Sequence, residues 1–293
     1  MIRKRAQPTP TRAPSPRKDN VRGKLFFFTA FALAFVAVAA FSPALCPFDP
    51  YAQDLSCALQ PPSAFHLAGT DRYGRDMLAR VIIGSQSSVL FTLLLVAIIS
   101  VFGTGVGILC GWKGGTIDTV LMRASDLFLA FPGLVCALAI AAVLGGGMMN
   151  AVLALAAISW PKYARLARGL TLAQKEDTYL MAARLSGCTT AQLLLRHVLP
   201  NVIGPLIVTA MLDIGTMMME LAGLSFLGLG AQPPTAEWGS MMNDSRSLLQ
   251  TAPWTVMAPG IAIFLTVMTF NLLGETVRDY MDSGSHGKGR ESA

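Results

Sequence analysis

Asp213 and Glu220 stand seven residues apart in a stretch that is otherwise apolar from Ile203 to Leu227. Seven residues make nearly two helical turns, so both carboxylates fall on roughly one helix face. An acid at the centre of a membrane span costs about 2.5–3.5 kcal/mol on insertion scales, so each needs water, a cation or a hydrogen-bonding partner. Two chemistries follow: an acidic patch that acts on a passing cation, or polar ties between helices. Met217 lies between them, with Met211, Met218, Met219, Met241 and Met242 nearby. Thioethers are weak ligands for Ni²⁺ and read as adaptable packing or pore lining. The three histidines, His66, His197 and His286, all fall outside the apolar runs, which argues against a histidine relay for bare ions. The absence of GxSxG, HExxH and GxxxxGK[ST] argues against hydrolase, zinc-peptidase and phosphate-loop ATPase chemistry.

The elements that would position these groups are membrane helices. The chain has 293 residues, 53% hydrophobic and 14% charged, and its mean hydropathy is +0.52. An ordinary soluble domain is about a quarter charged. Six segments, 25–45, 87–111, 126–146, 150–172, 203–227 and 256–276, approach the ~20 residues a spanning helix needs. The expected class is an all-α membrane protein, because an open strand leaves its polar groups unpaired in lipid. Net charge +6 sits in short basic segments between apolar runs, which points to topology and a lipid partner, not to nucleic acid. Arg3, Lys4, Arg5, Arg12, Arg17, Lys18, Arg22 and Lys24 place the N-terminus in the cytoplasm. Lys162, Arg165, Arg168, Lys175, Arg184 and Arg196 do the same for the segment between the fourth and fifth spans. Both termini are then cytoplasmic, and the loops 46–86 and 228–255 face outward. Trp160, Lys162, Tyr163, Arg165 and Arg168 are expected to mark the cytoplasmic end of the fourth span. Residues 1–24 read as a disordered basic tail, 25–282 as the transmembrane domain and 283–293 as a second cytoplasmic tail.

Cys46 and Cys57 share the first outward loop, where a disulfide or two free thiols are open. Cys110, Cys136 and Cys188 have no metal-site spacing, so no metal site is expected. Gly103, Gly107 and Gly111 repeat at intervals of four, which favours close helix packing on one face.

A second functional element lies near the middle, in "AARLSGCTTAQLLLRHVLPN", residues 182–201. Gly187 suits a helix C-terminus because it tolerates positive φ. Thr189 and Gln192 form a possible capping box for a following short helix. Leu193, Leu194 and Val198 give that helix an apolar side that needs a cover. Pro200 is expected to open the next span.

Here the sequence resembles importer permeases of the ATP-binding-cassette (ABC) superfamily. Their coupling loop reads Glu-Ala-Ala, three residues, Gly, nine residues, Ile-x-Leu-Pro. Ala182, Ala183, Gly187, Leu199 and Pro200 match in register, with Met181 in place of the glutamate and His197 in place of the isoleucine. "LAGTDRYGRDMLARVIIGSQSSVLF", "GGTIDTVLMRASDLFLAFP" and "AGLSFLGLGAQPPTAEWGSMMNDSR" resemble stretches of the dipeptide, oligopeptide and nickel permeases, second subunit. Among these the chain looks most similar to the nickel-transport permease, with nickel or a chelated metal as substrate. A dipeptide or oligopeptide importer is the alternative.

The resemblance implies a type I ABC importer permease fold with the coupling loop at 173–200, in the bacterial inner membrane. It implies a heterodimer with a second permease, two ATPase subunits holding ATP and Mg²⁺, and an extracytoplasmic binding protein. This chain itself would bind no cofactor and be no enzyme. A stand-alone secondary transporter is the competing class; it would require no ATP and leaves the apolar loop unexplained.

Overall fold

The computed structural model describes residues 18–288, and they are helical throughout apart from turns and one isolated bridge between Thr70 and Asp76. The helices are α1 (Lys18–Leu45), α2 (Met77–Lys113), α3 (Gly115–Leu129), α4 (Gly133–Val143), α5 (Met148–Lys175), α6 (Thr178–Leu185), α7 (Thr190–Leu193), α8 (Leu199–Phe226), α9 (Trp238–Ser245) and α10 (Trp254–Lys288). A π turn, Leu194–Val198, joins α7 to α8. The basic tail expected at 1–24 falls largely outside the described residues, as does the end of the 283–293 tail.

Among the described residues, four helices are long and apolar enough to cross a membrane: Val21–Leu45, Met77–Lys113, the continuous Thr190–Phe226 and Trp254–Met281. The α3–α4 pair makes a fifth only if counted as one broken span. Six were expected, and the differences have physical causes. The expected third span, 126–146, bends by 93° between α3 and α4. Pro132 is the N-cap of α4. A proline lacks the N–H that would continue the ladder, and it pushes the residue before it out of the α region. The expected fourth span is α5, 28 residues long, but Lys162, Arg165, Arg168 and Lys175 make it too charged to pass as a uniformly apolar crossing.

α5 is nevertheless the main partner of α2. A Cβ built on Gly103 would stand 2.5 Å from the Trp160 carbonyl oxygen, and one on Gly107 would stand 2.3 Å from that of Ala164. At Gly111 it would be 2.8 Å from Thr171 Cβ. The four-residue glycine repeat is therefore a backbone-to-backbone groove for α5, as small residues provide where lipid supplies no driving force. The core gathers Leu95 and Ile99 of α2, Leu155 of α5, Leu221 and Leu224 of α8, and Phe270 and Leu273 of α10.

The segment before α2 is fixed by acids. Asp76 caps α2 by accepting from Ala79 N at 2.7 Å and also meets His66 Nδ1 at 2.9 Å. Asp71 accepts from Tyr73 N, Arg75 N and Arg75 Nε, the last at 2.6 Å. Cys46 and Cys57 are free thiols here. Cys46 Sγ donates to the Ala79 carbonyl, and Cys57 Sγ lies 3.7 Å from Ser56 Oγ. Burial raises the Cys46 thiol above its ordinary range.

Candidate functional site

The glycine turn and the second short helix form as the sequence predicts. Gly187 has φ +85°, Gly187 N donates to Arg184 O, and Cys188 N donates to Ala183 O at 3.2 Å. This is a Schellman closure of α6, with Ala182 O accepting from Ser186 N beside it. Thr189 and Gln192 complete the capping box in both directions: Thr189 N donates to Gln192 Oε1 and Gln192 N to Thr189 Oγ1. His197 packs near the Tyr179 ring, and Asn201 Nδ2 bridges Tyr179 Oη and the His197 carbonyl. Arg184 lies over the Trp112 ring at 4.8 Å, and Lys175 Nζ donates to the Trp112 carbonyl at 2.7 Å. Both contacts bind the loop to the end of α2.

Two expectations about this loop are corrected. Leu193 and Val198 do not form its free apolar side. They are 2% and 0% exposed and belong to the chain's own core, with Leu194 half-buried beside them. The apolar groups left open are Met181, Leu185 and Leu195. Pro200 stands in the first turn of α8, as expected, but the span does not begin there. The helix runs unbroken from Thr190 to Phe226, and Pro200 follows the π turn, with Leu199 N bonded to Leu194 O. A proline clashes with the carbonyl four residues back, here Arg196, and the wider turn makes room for its ring.

The second centre joins α5 to α8. Lys162 Nζ donates to Asp213 Oδ1. Lys162 stands midway along α5, not at its end. Trp160 is half-buried and meets Phe102 and Phe128 edge-on, both of them exposed in this chain. Asp213 is 3% exposed, and its carboxylate faces the neighbouring Tyr163 hydroxyl. Further along α5, Arg165 pairs with Asp126, and Arg168 grips Asp118 by Nε and Nη2 at 2.5 and 2.7 Å. Lys162, Arg165 and Arg168 are thus matched by acids of α3 and α8. Glu220 is half-buried two turns beyond Asp213. Met217, expected to line a pore, is 6% exposed and packs in this chain's own core. Among the described residues no group of three or more His, Cys, Asp or Glu side chains is placed to hold a metal ion.

Sequence reasoning missed Asp118 and Asp126 as partners, and it missed Glu237. Glu237 is 1% exposed and caps α9 by accepting from Gly239 N and Ser240 N at 2.9 and 2.8 Å. Ser88 Oγ of α2 donates to the same carboxylate and accepts from Trp238 N. Burial raises the Glu237 carboxyl above its ordinary range, against the pull of these donors. An acid followed by Trp-Gly-Ser, with its cap pattern, is the local signal that could have found it.

Residues 103–286 match the family described as the binding-protein-dependent transport system inner membrane component. This chain belongs to that family. The permease is 46% identical over 85% of its length to the probable D,D-dipeptide transport system permease protein DdpC of Escherichia coli strain K12, covering 83% of that protein. It is 41% identical to the dipeptide permease DppC of Alkalihalophilus pseudofirmus, over 85% of this chain and 82% of that one. It is also 41% identical to the glutathione permease GsiD of Pectobacterium atrosepticum, over 86% and 84%. In fold it is similar to the inward-facing MetNI methionine ABC transporter, with TM-score 0.54, 19% identity, and coverage of 70% of this chain and 97% of that one. A crystal structure of an amino acid ABC transporter gives TM-score 0.53 at 22% identity, over 69% and 94%. The all-helical inner-membrane permease architecture is therefore secure, and the relatives at higher identity carry peptide and glutathione names.

Proposed function

We propose that this permease forms half of the pore of an ATP-driven importer for short peptides or peptide-like solutes. The names of its relatives favour this alternative over the nickel or chelated-metal substrate that the sequence signatures first suggested. A second permease would complete the pore, two ATPase subunits would supply hydrolysis, and a binding protein would deliver the solute from outside. The N-terminus and the loop around Gly187 would lie in the cytoplasm.

The observation that carries the coupling role is the loop itself. A closed Schellman turn holds Met181 and Leu185 open to solvent, 54% and 90% exposed. Two exposed apolar side chains on a rigid turn fit the cleft of a partner. ATP-driven motion of that partner would enter α8 directly, because the helix from the loop onward is unbroken.

The test is reconstitution with the products of the adjacent genes in vesicles. ATP-dependent uptake of a labelled dipeptide is expected, with little or none of free Ni²⁺. ATP-independent uptake would favour the stand-alone transporter. A photocrosslinker at Leu185 is expected to capture an ATPase subunit; failure of that crosslink in an active complex overturns the coupling role.

A further inference from the structure

α8 carries a polar stripe through an apolar helix. Thr209, Asp213, Thr216 and Glu220 recur at steps of four, three and four, the spacing of a single helix face. α5 meets this stripe through Lys162, and Arg165, three residues on and on the same side of its helix, pairs with Asp126 of α3. The Lys162 and Arg165 side chains are 57% and 47% exposed in this subunit.

Packing makes that exposure informative. Lys162 stands in the middle of the 28-residue α5, and Asp213 lies well inside the helix that runs from Thr190 to Phe226. An ammonium facing hydrocarbon is costly, and such groups face water or protein.

We propose that the α5–α8 seam is the wall this subunit presents to the translocation path, and that Lys162 is its contact for the carboxylate of a passing solute. The most exposed charge on this wall is the cation, since Glu220 is half-buried. Asp213 is covered, and it serves as the counter-ion that keeps Lys162 aimed. An ammonium has three N–H donors. One is spent on Asp213, and two remain for a carboxylate such as a peptide C-terminus. The local pair is neutral, so the hold on an anion is weak, which suits a site that must also release. This reverses the expectation that Asp213 draws in a cationic solute. It rests on the reading of the chain as half of an importer's pore, and it identifies the solute group that this half would meet.

Two measurements on the assembled transporter test it. In the first, Thr216→Cys is placed in a background lacking the five native cysteines. Thr216 is exposed and outside the ion pair. A charged, membrane-impermeant thiol reagent is expected to label it, and no labelling overturns the wall. In the second, uptake of a dipeptide is compared with that of the same dipeptide amidated at its C-terminus. The unaltered transporter is expected to favour the free carboxylate by about tenfold or more. Lys162→Met with Asp213→Asn, which leaves no unpaired charge, is expected to bring that ratio close to one, and Lys162→Arg is expected to keep it. An unchanged ratio in the double variant overturns the role of Lys162. If the double variant does not co-purify with its partners, Lys162→Gln is read in its place by the same ratio. If the unaltered transporter carries neither dipeptide, the peptide reading and the carboxylate contact fall together, while Thr216→Cys labelling still decides the wall.

Discussion

Gly107 of α2 approaches Ala164 of α5 so closely that a Cβ on the glycine would stand 2.3 Å from the alanine's carbonyl oxygen. Nothing at that oxygen can yield except the helix backbone. Gly107→Ala is expected to push α5 away and destabilise the bundle by about 1–3 kcal/mol, the usual cost of overpacking. Gly105, on the same helix, has nothing within 4 Å of a Cβ. Gly105→Ala is therefore expected to be neutral or to stabilise slightly, since alanine loses less backbone entropy. Thermal unfolding of the detergent-solubilised permease would compare the two. Equal effects would show that the groove is not what holds α5.

Gly187 gives the opposite kind of constraint. A Cβ there would meet open space, so only the backbone at φ +85° resists a side chain. Gly187→Val is expected to cost about 1–2 kcal/mol locally and to loosen the turn. Gly187→Asn is expected to keep it, because asparagine tolerates the left-handed region. Hydrogen exchange at Cys188 N–H, which closes the Schellman motif, reports this directly. Fast exchange in the valine variant and slow exchange in the asparagine variant is the expected result. Equal protection in both would remove the conformational argument.

The coupling loop was legible because its bonds are local. Gly187, Thr189 and Gln192 satisfy backbone groups within five residues of themselves, and such patterns are written in the sequence. The helices were legible as apolar runs. The kink before Pro132 was not, because a hydropathy window sums side chains and ignores the missing N–H. The charges of α5 were misplaced for a different reason. Lys162, Arg165 and Arg168 find their acids 51, 39 and 50 residues away, so their place beside Asp213, Asp126 and Asp118 depends on tertiary pairing. Without those partners a basic run reads as the end of a span. Asp213 was recognised as needing a partner, but hydropathy could not supply the name Lys162.

The fork between Arg168 and Asp118 anchors α3 to α5 near the coupling loop. Both Nε and Nη2 are used, a geometry that lysine does not reproduce. Arg168→Lys is expected to lose roughly half of what Arg168→Ala loses, in a range of about 1–3 kcal/mol for charge-assisted bonds. A double-mutant cycle with Asp118→Asn should return an interaction energy near the Arg168→Ala loss. A coupling near zero would mean that the pair is a solvated surface contact.

Glu237 predicts a pH dependence with a definite sign. Burial raises its folded-state carboxyl above the ordinary value of 4.5, so the folded protein holds this proton more tightly than the unfolded chain does. Its contribution to stability is therefore complete below the unfolded value. It declines as pH rises from about 4.5 through the raised folded value. The decline exists because the charged carboxylate must be kept out of water, although Gly239 N, Ser240 N and Ser88 Oγ partly compensate. Glu237→Gln removes the titration, so its unfolding midpoint should vary less across this window than that of the unaltered permease. The amide also turns one acceptor into a donor facing a backbone N–H. The variant is thus expected to lose about 1–2 kcal/mol at low pH, the scale of a lost helix cap. Unfolding midpoints measured from pH 4 to pH 8 on both proteins separate the two effects, the offset reporting the cap and the slope reporting the proton. Parallel curves would show that Glu237 keeps one protonation state throughout, and a steeper slope in the glutamine variant would reverse the sign argued here.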